Sequence, residues 1–224
     1  MTRTRLKDRT LPDYTPGEEL FHSISHIVGG ALGIVALALC VTFAALRHDP
    51  WAVVSGAIYG ASLVLLYTMS SVYHGLHPIM AKKVMQVLDH CAINILIGGT
   101  YTPVLLCALR PVSPGWAWGL FGAVWGLCIL STVFTAIDLH KYATLSMLCY
   151  LGVGWCIMLA FRPTLEALTL PGLLWMVGGG VAYTLGAVLY GFGTRIPYTH
   201  AAFHVFTLIG SIMHFIGVFF YVIL

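Results

Sequence analysis

Charged residues divide the chain after Glu19 into seven stretches that contain no Asp, Glu, Lys or Arg. The stretches are 20–46, 50–81, 90–109, 111–137, 142–161, 167–194 and 196–224. Each has 20 or more residues, and a helix needs about 20 apolar residues to cross the hydrocarbon core of a bilayer. Backbone groups in lipid must be satisfied within their own segment, and the alternating pattern of a membrane barrel is absent. The pattern therefore predicts an all-α membrane protein with seven transmembrane helices.

The composition agrees with a chain whose solvent is lipid. Of 224 residues, 59% are hydrophobic and 8% are charged, whereas soluble domains carry roughly 25% charged residues. We expect a single membrane domain over 17–224, preceded by a disordered basic tail over 1–16. The expected location is the cell (inner) membrane, and the expected partner is membrane lipid and not nucleic acid. The sequence leaves open whether chains form oligomers.

Basic residues predict the orientation of the chain. With seven spans, the N-terminal tail and the second, fourth and sixth loops share one side, which holds eight of the eleven Lys and Arg residues. They are Arg3, Arg5, Lys7, Arg9, Lys82, Lys83, Lys141 and Arg195. Because Lys and Arg collect on the cytoplasmic side, we expect the N-terminus inside and the C-terminus outside.

Histidines gather at the predicted cytoplasmic end of the spans. His200 and His204 are four residues apart, and this spacing places them on one face of a helix. His74, near the end of the second span, supplies a third imidazole. Three neutral nitrogens with a fourth position left to water are typical of catalytic zinc. The residues thus form a candidate Zn²⁺ site of His74, His200 and His204, and spacing and depth alone leave a metal-free histidine set as an equal alternative.

Two further residues suit hydrolytic chemistry beside such an ion. Asp89 is the one carboxylate that we place within a span, and it could ligate the metal or deprotonate a water molecule. Ser70 lies one turn before His74 and could hydrogen-bond the water or a substrate carbonyl. Three more polar residues lie at the predicted cytoplasmic end and form a polar cluster around these groups: Glu19, His26 and His90.

Purely structural interpretations remain open for several of these residues. His26 and His90 could form hydrogen bonds to neighbouring helices without any metal. The Ser70 hydroxyl could bond a backbone carbonyl, as serines in membrane helices do. Asp89 could pair with a lysine such as Lys83. The six cysteines lie in apolar stretches without CxxC spacing, and we interpret them as small buried hydrophobic residues.

Four short motifs in order resemble the bacterial hemolysin III proteins of the progestin and adipoQ receptor (PAQR) family. They are residues 18–26, residues 70–74, residues 88–90 with 99–103, and the His200/His204 pair followed by His214 and Phe215. The resemblance implies a seven-helix fold with a cytoplasmic N-terminus and a zinc ion near the cytoplasmic side. It implies His74, His200 and His204 as ligands, Asp89 at the zinc-bound water and Ser70 nearby. The family's first motif usually has Asn where this chain has His22, which leaves the role of His22 open.

Three functional hypotheses follow from these observations. The first is a zinc-dependent hydrolase of a lipid amide or ester, since the resemblance extends to membrane hydrolases that include the alkaline ceramidases. The second is a non-enzymatic, receptor-like sensor or regulator of the membrane state, with zinc clamping helices. The third is a pore or transporter, including a cytolytic one. We rank it last, because the outer halves of the spans hold almost no charge to line a polar path.

Overall fold

Helix α1 (Pro16–Leu46) begins at a capping box. The Thr15 side chain accepts a hydrogen bond from the Glu18 amide, and the Glu18 carboxylate accepts one from the Thr15 amide, which satisfies two backbone donors that the helix start leaves free. The computed structural model describes residues 3–193 and 196–224. Arg195, one of the basic residues used to predict the orientation, lies outside the described residues.

The other long helices follow in chain order. They are α2 (Pro50–Gly75), α3 (Ile79–Pro103), α4 (Pro114–Ile137), α5 (Ala143–Trp155), α6 (Phe161–Phe192) and α7 (Thr199–Val218). α3 continues through a π-helical segment, Val104–Leu109, and α7 through another, Phe219–Ile223. No strand is present in the described part of the chain. The all-α prediction is therefore confirmed.

Six helical runs among the described residues are long and apolar enough to cross a membrane. They are Pro16–Leu46, Pro50–Gly75, Ile79–Val112, Pro114–Ile137, Ala143–Phe192 and Thr199–Ile223. A chain with several such helices is a multi-pass membrane protein, as its composition predicted. The seventh span of the prediction has no separate counterpart, because the stretches 142–161 and 167–194 both overlap the single run Ala143–Phe192.

That run contains 50 residues, so as one straight helix it would extend roughly 75 Å, against a hydrocarbon core of about 30 Å. It is interrupted by a 3₁₀ segment, Cys156–Ala160, and by Thr169, whose φ of 60° is not helical. The indole Nε1 of Trp155 donates a hydrogen bond of 3.0 Å to Oγ1 of Thr184. Residues 29 positions apart can meet in this way only if the chain reverses direction between them.

Helix boundaries differ from the charge-free stretches near residue 80. α2 ends at Gly75 and α3 begins at Ile79, whereas the stretches ended at 81 and resumed at 90. The physical reason is Pro78, because a residue that precedes proline is disfavoured in helical conformation. Lys82 and Asp89 therefore lie on the same helix, with Lys82 in its first turns.

Small residues allow the closest helix contacts. A Cβ at Gly29 of α1 would overlap the ring of Tyr67 on α2. Gly179 of α6 and Gly210 of α7 face each other, since a Cβ on either would come within about 3 Å of the other's carbonyl oxygen. Such contacts are typical of helix association in membranes, where backbones approach at Gly and Ala.

Residues 3–15 lie against the end of the bundle that carries the histidines. The Thr4 amide donates to Oδ2 of Asp138 at 2.8 Å, and Arg9 donates to the carbonyl of Ile137 at 2.9 Å. Burial by itself would raise the pKa of Asp138, but hydrogen bonds from the amides of Thr4 and Lys141 and the charge of Arg9 lower it to about 2. Whether the segment is disordered in solution stays a prediction.

Candidate metal centre

Four imidazoles from three helices meet at one end of the bundle. α1 supplies His22, α2 supplies His74, and α7 supplies His200 and His204, and all four are buried. Their six ring-centre separations run from 4.7 to 5.4 Å. We call these four residues the histidine cluster. It contains the predicted set His74, His200 and His204, and it adds His22.

Three of the four rings in the cluster have nitrogens that are mutually close enough to share an ion. One nitrogen from each of His22, His74 and His200 lies within 4.8 Å of the others. The Nε2 atoms of His200 and His204 are 3.2 Å apart. Two nitrogens at zinc–nitrogen distances of 2.0–2.1 Å in tetrahedral geometry are roughly 3.3–3.4 Å apart. The short separation therefore fits an N–H···N hydrogen bond or a shared metal ion.

Several cluster nitrogens have no hydrogen-bond partner among the described residues, although all are buried. They are both ring nitrogens of His22, Nε2 of His74 and Nδ1 of His200. A neutral imidazole offers one donor and one acceptor, and a buried polar atom left without a partner costs about 1–3 kcal/mol. A divalent metal would use the acceptor lone pairs, and all-imidazole ligation suits Zn, Cu, Fe or Ni better than Mg or Ca. The residues therefore fit a transition metal without fixing which one.

Glu19 orients the imidazole of His74. Nδ1 of His74 is 2.7 Å from Oε2 of Glu19, while Nζ of Lys82 is 2.6 Å from Oε1. Because the carboxylate accepts, Nδ1 of His74 carries the proton. The lone pair is left on Nε2, which has no partner in the described part of the chain. A carboxylate behind a metal-binding histidine is a common arrangement that fixes the tautomer and the ring orientation.

The neighbouring carboxylate, Glu18, ties α1 to the start of α7. Oε1 of Glu18 accepts a hydrogen bond of 2.9 Å from the amide of Tyr198, which lies two residues before His200 and has a left-handed φ of 63°. The adjacent acids of α1 therefore hold His74 and the α7 terminus at the same time. No sequence pattern assigned this role to Glu18, although the acidic pair Glu18 and Glu19 stands in the first turn of α1.

Tyr14 covers the histidine cluster. Its ring stacks on His200 with centres 4.9 Å apart and meets His22 edge-on at 5.0 Å. Burial raises the pKa of the Tyr14 hydroxyl above its ordinary value, so the side chain is neutral at physiological pH. No sequence signal pointed to this contact, because Tyr14 falls in the segment interpreted as a tail.

A cavity of about 170 Å³ adjoins the cluster and is lined by α2, α3, α5, α6 and α7, with His26 contributed by α1. Ser70, Asp89, His200 and His204 line it together with mostly apolar side chains. Ser70 and Asp89 are buried, and the Ser70 hydroxyl lies beside the Asp89 carboxyl. The two residues predicted to serve hydrolysis therefore share one space with two of the predicted ligands.

The remaining members of the predicted polar cluster lie around this centre. His26 stacks on His204 with ring centres 3.7 Å apart. His90 is held on both nitrogens: Nδ1 lies 2.8 Å from the carbonyl of Gln86, and Nε2 lies 3.1 Å from the hydroxyl of Tyr190. His90 thus makes the helix-to-helix hydrogen bond that was one of its two interpretations.

Comparison with known proteins places the chain in a family. Residues 14–215 match the family described as Haemolysin-III related. The chain belongs to that family. It is 38% identical over 207 residues to Hemolysin-3 of Bacillus cereus, covering 92% of each protein. It is 35% identical over 208 residues to the Hemolysin-3 homolog of Bacillus subtilis (strain 168), covering 93% of this chain and 96% of the relative.

A more distant relative is human. The monocyte to macrophage differentiation factor of Homo sapiens is 26% identical over 184 residues, covering 77% of this chain and 72% of that protein. The resemblance to bacterial hemolysin III proteins and their wider family is confirmed. The chain is an integral, multi-pass membrane protein.

Proposed function

We propose that this chain is a zinc-dependent hydrolase that cleaves an amide or ester of a membrane lipid at the cytoplasmic side. One observation carries the proposal: an imidazole cluster, several of whose nitrogens have no hydrogen-bond partner among the described residues, adjoins a mostly apolar cavity that the buried Asp89 also lines. His74, His200 and His204 would hold the ion. Zn²⁺ bound there would polarise a carbonyl oxygen and lower the pKa of water.

Asp89 and Ser70 have separate roles in this proposal. The Asp89 carboxyl accepts the proton of the attacking water and returns it to the leaving group, as a general base and then a general acid. The Ser70 hydroxyl, beside that carboxyl, orients the water or donates to the developing oxyanion. Both side chains are buried and line the cavity.

The cavity favours a lipid as the substrate. Its lining is mostly apolar, with Leu66, Ile93, Leu96 and Leu151 among the contributing side chains, and such a surface suits an acyl chain. Its lining also includes Ser70 and Asp89, together with His200 and His204 at the end nearest the histidine cluster. A lipid that enters sideways between helices would bring its carbonyl to this end, because the amide or ester lies near the headgroup depth.

The proposed topology has seven spans, with the N-terminus in the cytoplasm and the C-terminus outside. The contact between Trp155 and Thr184 supports a chain reversal within Ala143–Phe192, which converts six helical runs into seven crossings. The distribution of basic residues supports the direction. Reporter fusions at the two termini test it: opposite sides are expected, and both termini on one side would contradict it.

The hydrolytic proposal is tested with the full-length chain purified in lipid nanodiscs with Zn²⁺. A ceramide-like amide and a phospholipid ester serve as substrates, and released fatty acid is measured. We expect release by the wild type, loss in His204→Ala, and a decrease of about 10²–10⁴-fold in Asp89→Ala. His140→Ala, which alters an exposed histidine, is the matched control and should retain activity. Equal release from all four proteins would contradict the proposal.

A second function, a non-enzymatic regulator with a structural metal, is favoured by the number of imidazoles in the cluster, since structural zinc sites are filled by four protein ligands. It predicts that His200→Ala lowers the unfolding temperature, while Asp89→Ala leaves both stability and cellular function intact. Loss of cellular function in Asp89→Ala at unchanged stability would count against this alternative.

A further inference from the structure

We propose that His22 is a fourth ligand of the metal, so that the resting centre is a closed site of four imidazoles. This inference rests on the metal centre of the proposed function and describes its coordination. It assigns a role to the residue that the sequence left open.

The separations between the four imidazole rings fit four ligands around one ion. When four imidazoles bind one zinc ion tetrahedrally, each ring centre lies roughly 3.2 Å from the metal and the ring centres lie about 5.2 Å from one another. The six separations within the histidine cluster range from 4.7 to 5.4 Å. His22 is nearly equidistant from the other three rings, at 4.7, 4.7 and 4.8 Å. It therefore occupies the fourth corner of the cluster.

The hydrogen bonding of the cluster also supports His22 as a ligand. His74 has Glu19 on one nitrogen, and Nδ1 of His204 lies 3.4 Å from the hydroxyl of Ser25. His22 is fully buried, and neither of its ring nitrogens has a partner among the described residues. A fully buried imidazole without a partner is costly. Coordination through one nitrogen would remove that cost for the lone pair of His22.

Aromatic packing explains the position of the His22 ring but not the need for its nitrogens. The rings of Tyr14 and His74 meet His22 at steep angles of 81° and 64°, as aromatic residues in a core commonly do. However, such contacts would be made equally well by Phe, which has no nitrogen to satisfy. The nitrogen of His22 that lies within 4.8 Å of nitrogens of His74 and His200 is the feature that packing does not require.

A fourth imidazole changes what the centre can do. An open catalytic site keeps one position for water or substrate, whereas a closed site has none. Under this proposal His22 would fill that position at rest, and hydrolysis would require its side chain to move aside. Tyr14, packed edge-on against His22, would have to move with it.

The test counts ligands directly. The full-length protein is loaded with zinc alone, and X-ray absorption spectroscopy measures the number of imidazoles around the ion in wild type and in His22→Asn. We expect four imidazoles in the wild type and three in the variant. The zinc dissociation constant should be at least about 10-fold higher in His22→Asn than in wild type. Residues that only orient metal ligands already change metal affinity about 10- to 100-fold. His140→Asn, at an exposed position, should match the wild type.

Three imidazoles in the wild type would overturn the proposal, whether or not His22→Asn folds. An unchanged dissociation constant in a folded His22→Asn would also overturn it. The two proposals can fail separately. If spectroscopy finds four imidazoles but no fatty acid is released, only the hydrolase is rejected. If fatty acid is released but spectroscopy finds three imidazoles, only the role of His22 is rejected.

Discussion

Nδ1 of His74 lies 2.7 Å from Oε2 of Glu19, and the other oxygen of that carboxylate lies 2.6 Å from Nζ of Lys82. This contact joins α1, α2 and α3 behind the histidine cluster. It leaves Nε2 of His74 as the nitrogen available to a metal. The orientation of a predicted ligand thus depends on Glu19, which the sequence placed only in the surrounding polar cluster, and on the pairing of Glu19 with Lys82.

Replacing the Glu19 carboxylate should weaken metal binding. In Glu19→Gln we expect the zinc dissociation constant to rise about 10- to 100-fold, because residues that orient metal-binding histidines have effects of this size. Competition with a chelator measures the constant. Glu166→Gln, which alters an exposed acid, is the control and should not change it. An identical constant for Glu19→Gln and wild type would contradict the role given to Glu19.

The Tyr14 ring should slow metal exchange. Because it covers His200 and His22, we expect zinc to pass to an excess of chelator faster in Tyr14→Ala than in wild type. Tyr14→Phe retains the ring and should behave like wild type. A stopped-flow measurement of the transfer rate distinguishes them. Equal rates in wild type and Tyr14→Ala would show that Tyr14 does not cover the centre.

Two adjacent glycines should respond differently to the same substitution. A Cβ at Gly29 would overlap the ring of Tyr67, whereas a Cβ at Gly30 would lie 3.8 Å from Cβ of Tyr67, an ordinary contact. Gly29→Ala should therefore destabilise the protein by about 1–3 kcal/mol. Gly30→Ala should be neutral or stabilising by up to about 1 kcal/mol. Unfolding in detergent measures both, and equal effects would contradict this α1–α2 packing.

These results show which features a sequence can predict for such a chain. The apolar stretches predicted the helices well, because lipid leaves the backbone few alternatives to helix. The spacing of His200 and His204 predicted their shared face for the same reason. The central place of His22 and the cover by Tyr14 depend on how α1 packs against α2 and α7, and on a segment with no periodic pattern. Those relationships involve tertiary packing that no local spacing encodes.

Asp138 should hold the N-terminal segment in place. We expect Asp138→Ala to accelerate tryptic cleavage after Lys7 relative to wild type, because the hydrogen bond from the Thr4 amide is lost. Asp13→Ala, at an exposed position, should leave the rate unchanged. Equal cleavage rates in Asp138→Ala and wild type would show that this contact does not restrain the segment.

The same contact predicts a pH dependence. The folded pKa of Asp138 is lowered to about 2, below an unfolded value of about 3.9. Its stabilising contribution is therefore present above about pH 4 and is lost as the pH falls through about 2. Anisotropy of a fluorophore on the N-terminus should decrease over this window in wild type and be low throughout in Asp138→Ala. A decrease centred near neutral pH would contradict the assignment.

The central claim is that the histidine cluster binds a metal ion, and elemental analysis of the purified protein tests it most directly. Metal content is measured in wild type, His74→Ala, His200→Ala and the exposed control His140→Ala. We predict one transition-metal ion per chain in wild type and in the control, and none in the two cluster variants. A wild-type protein without metal after zinc loading, or variants that retain the full content, would contradict the claim.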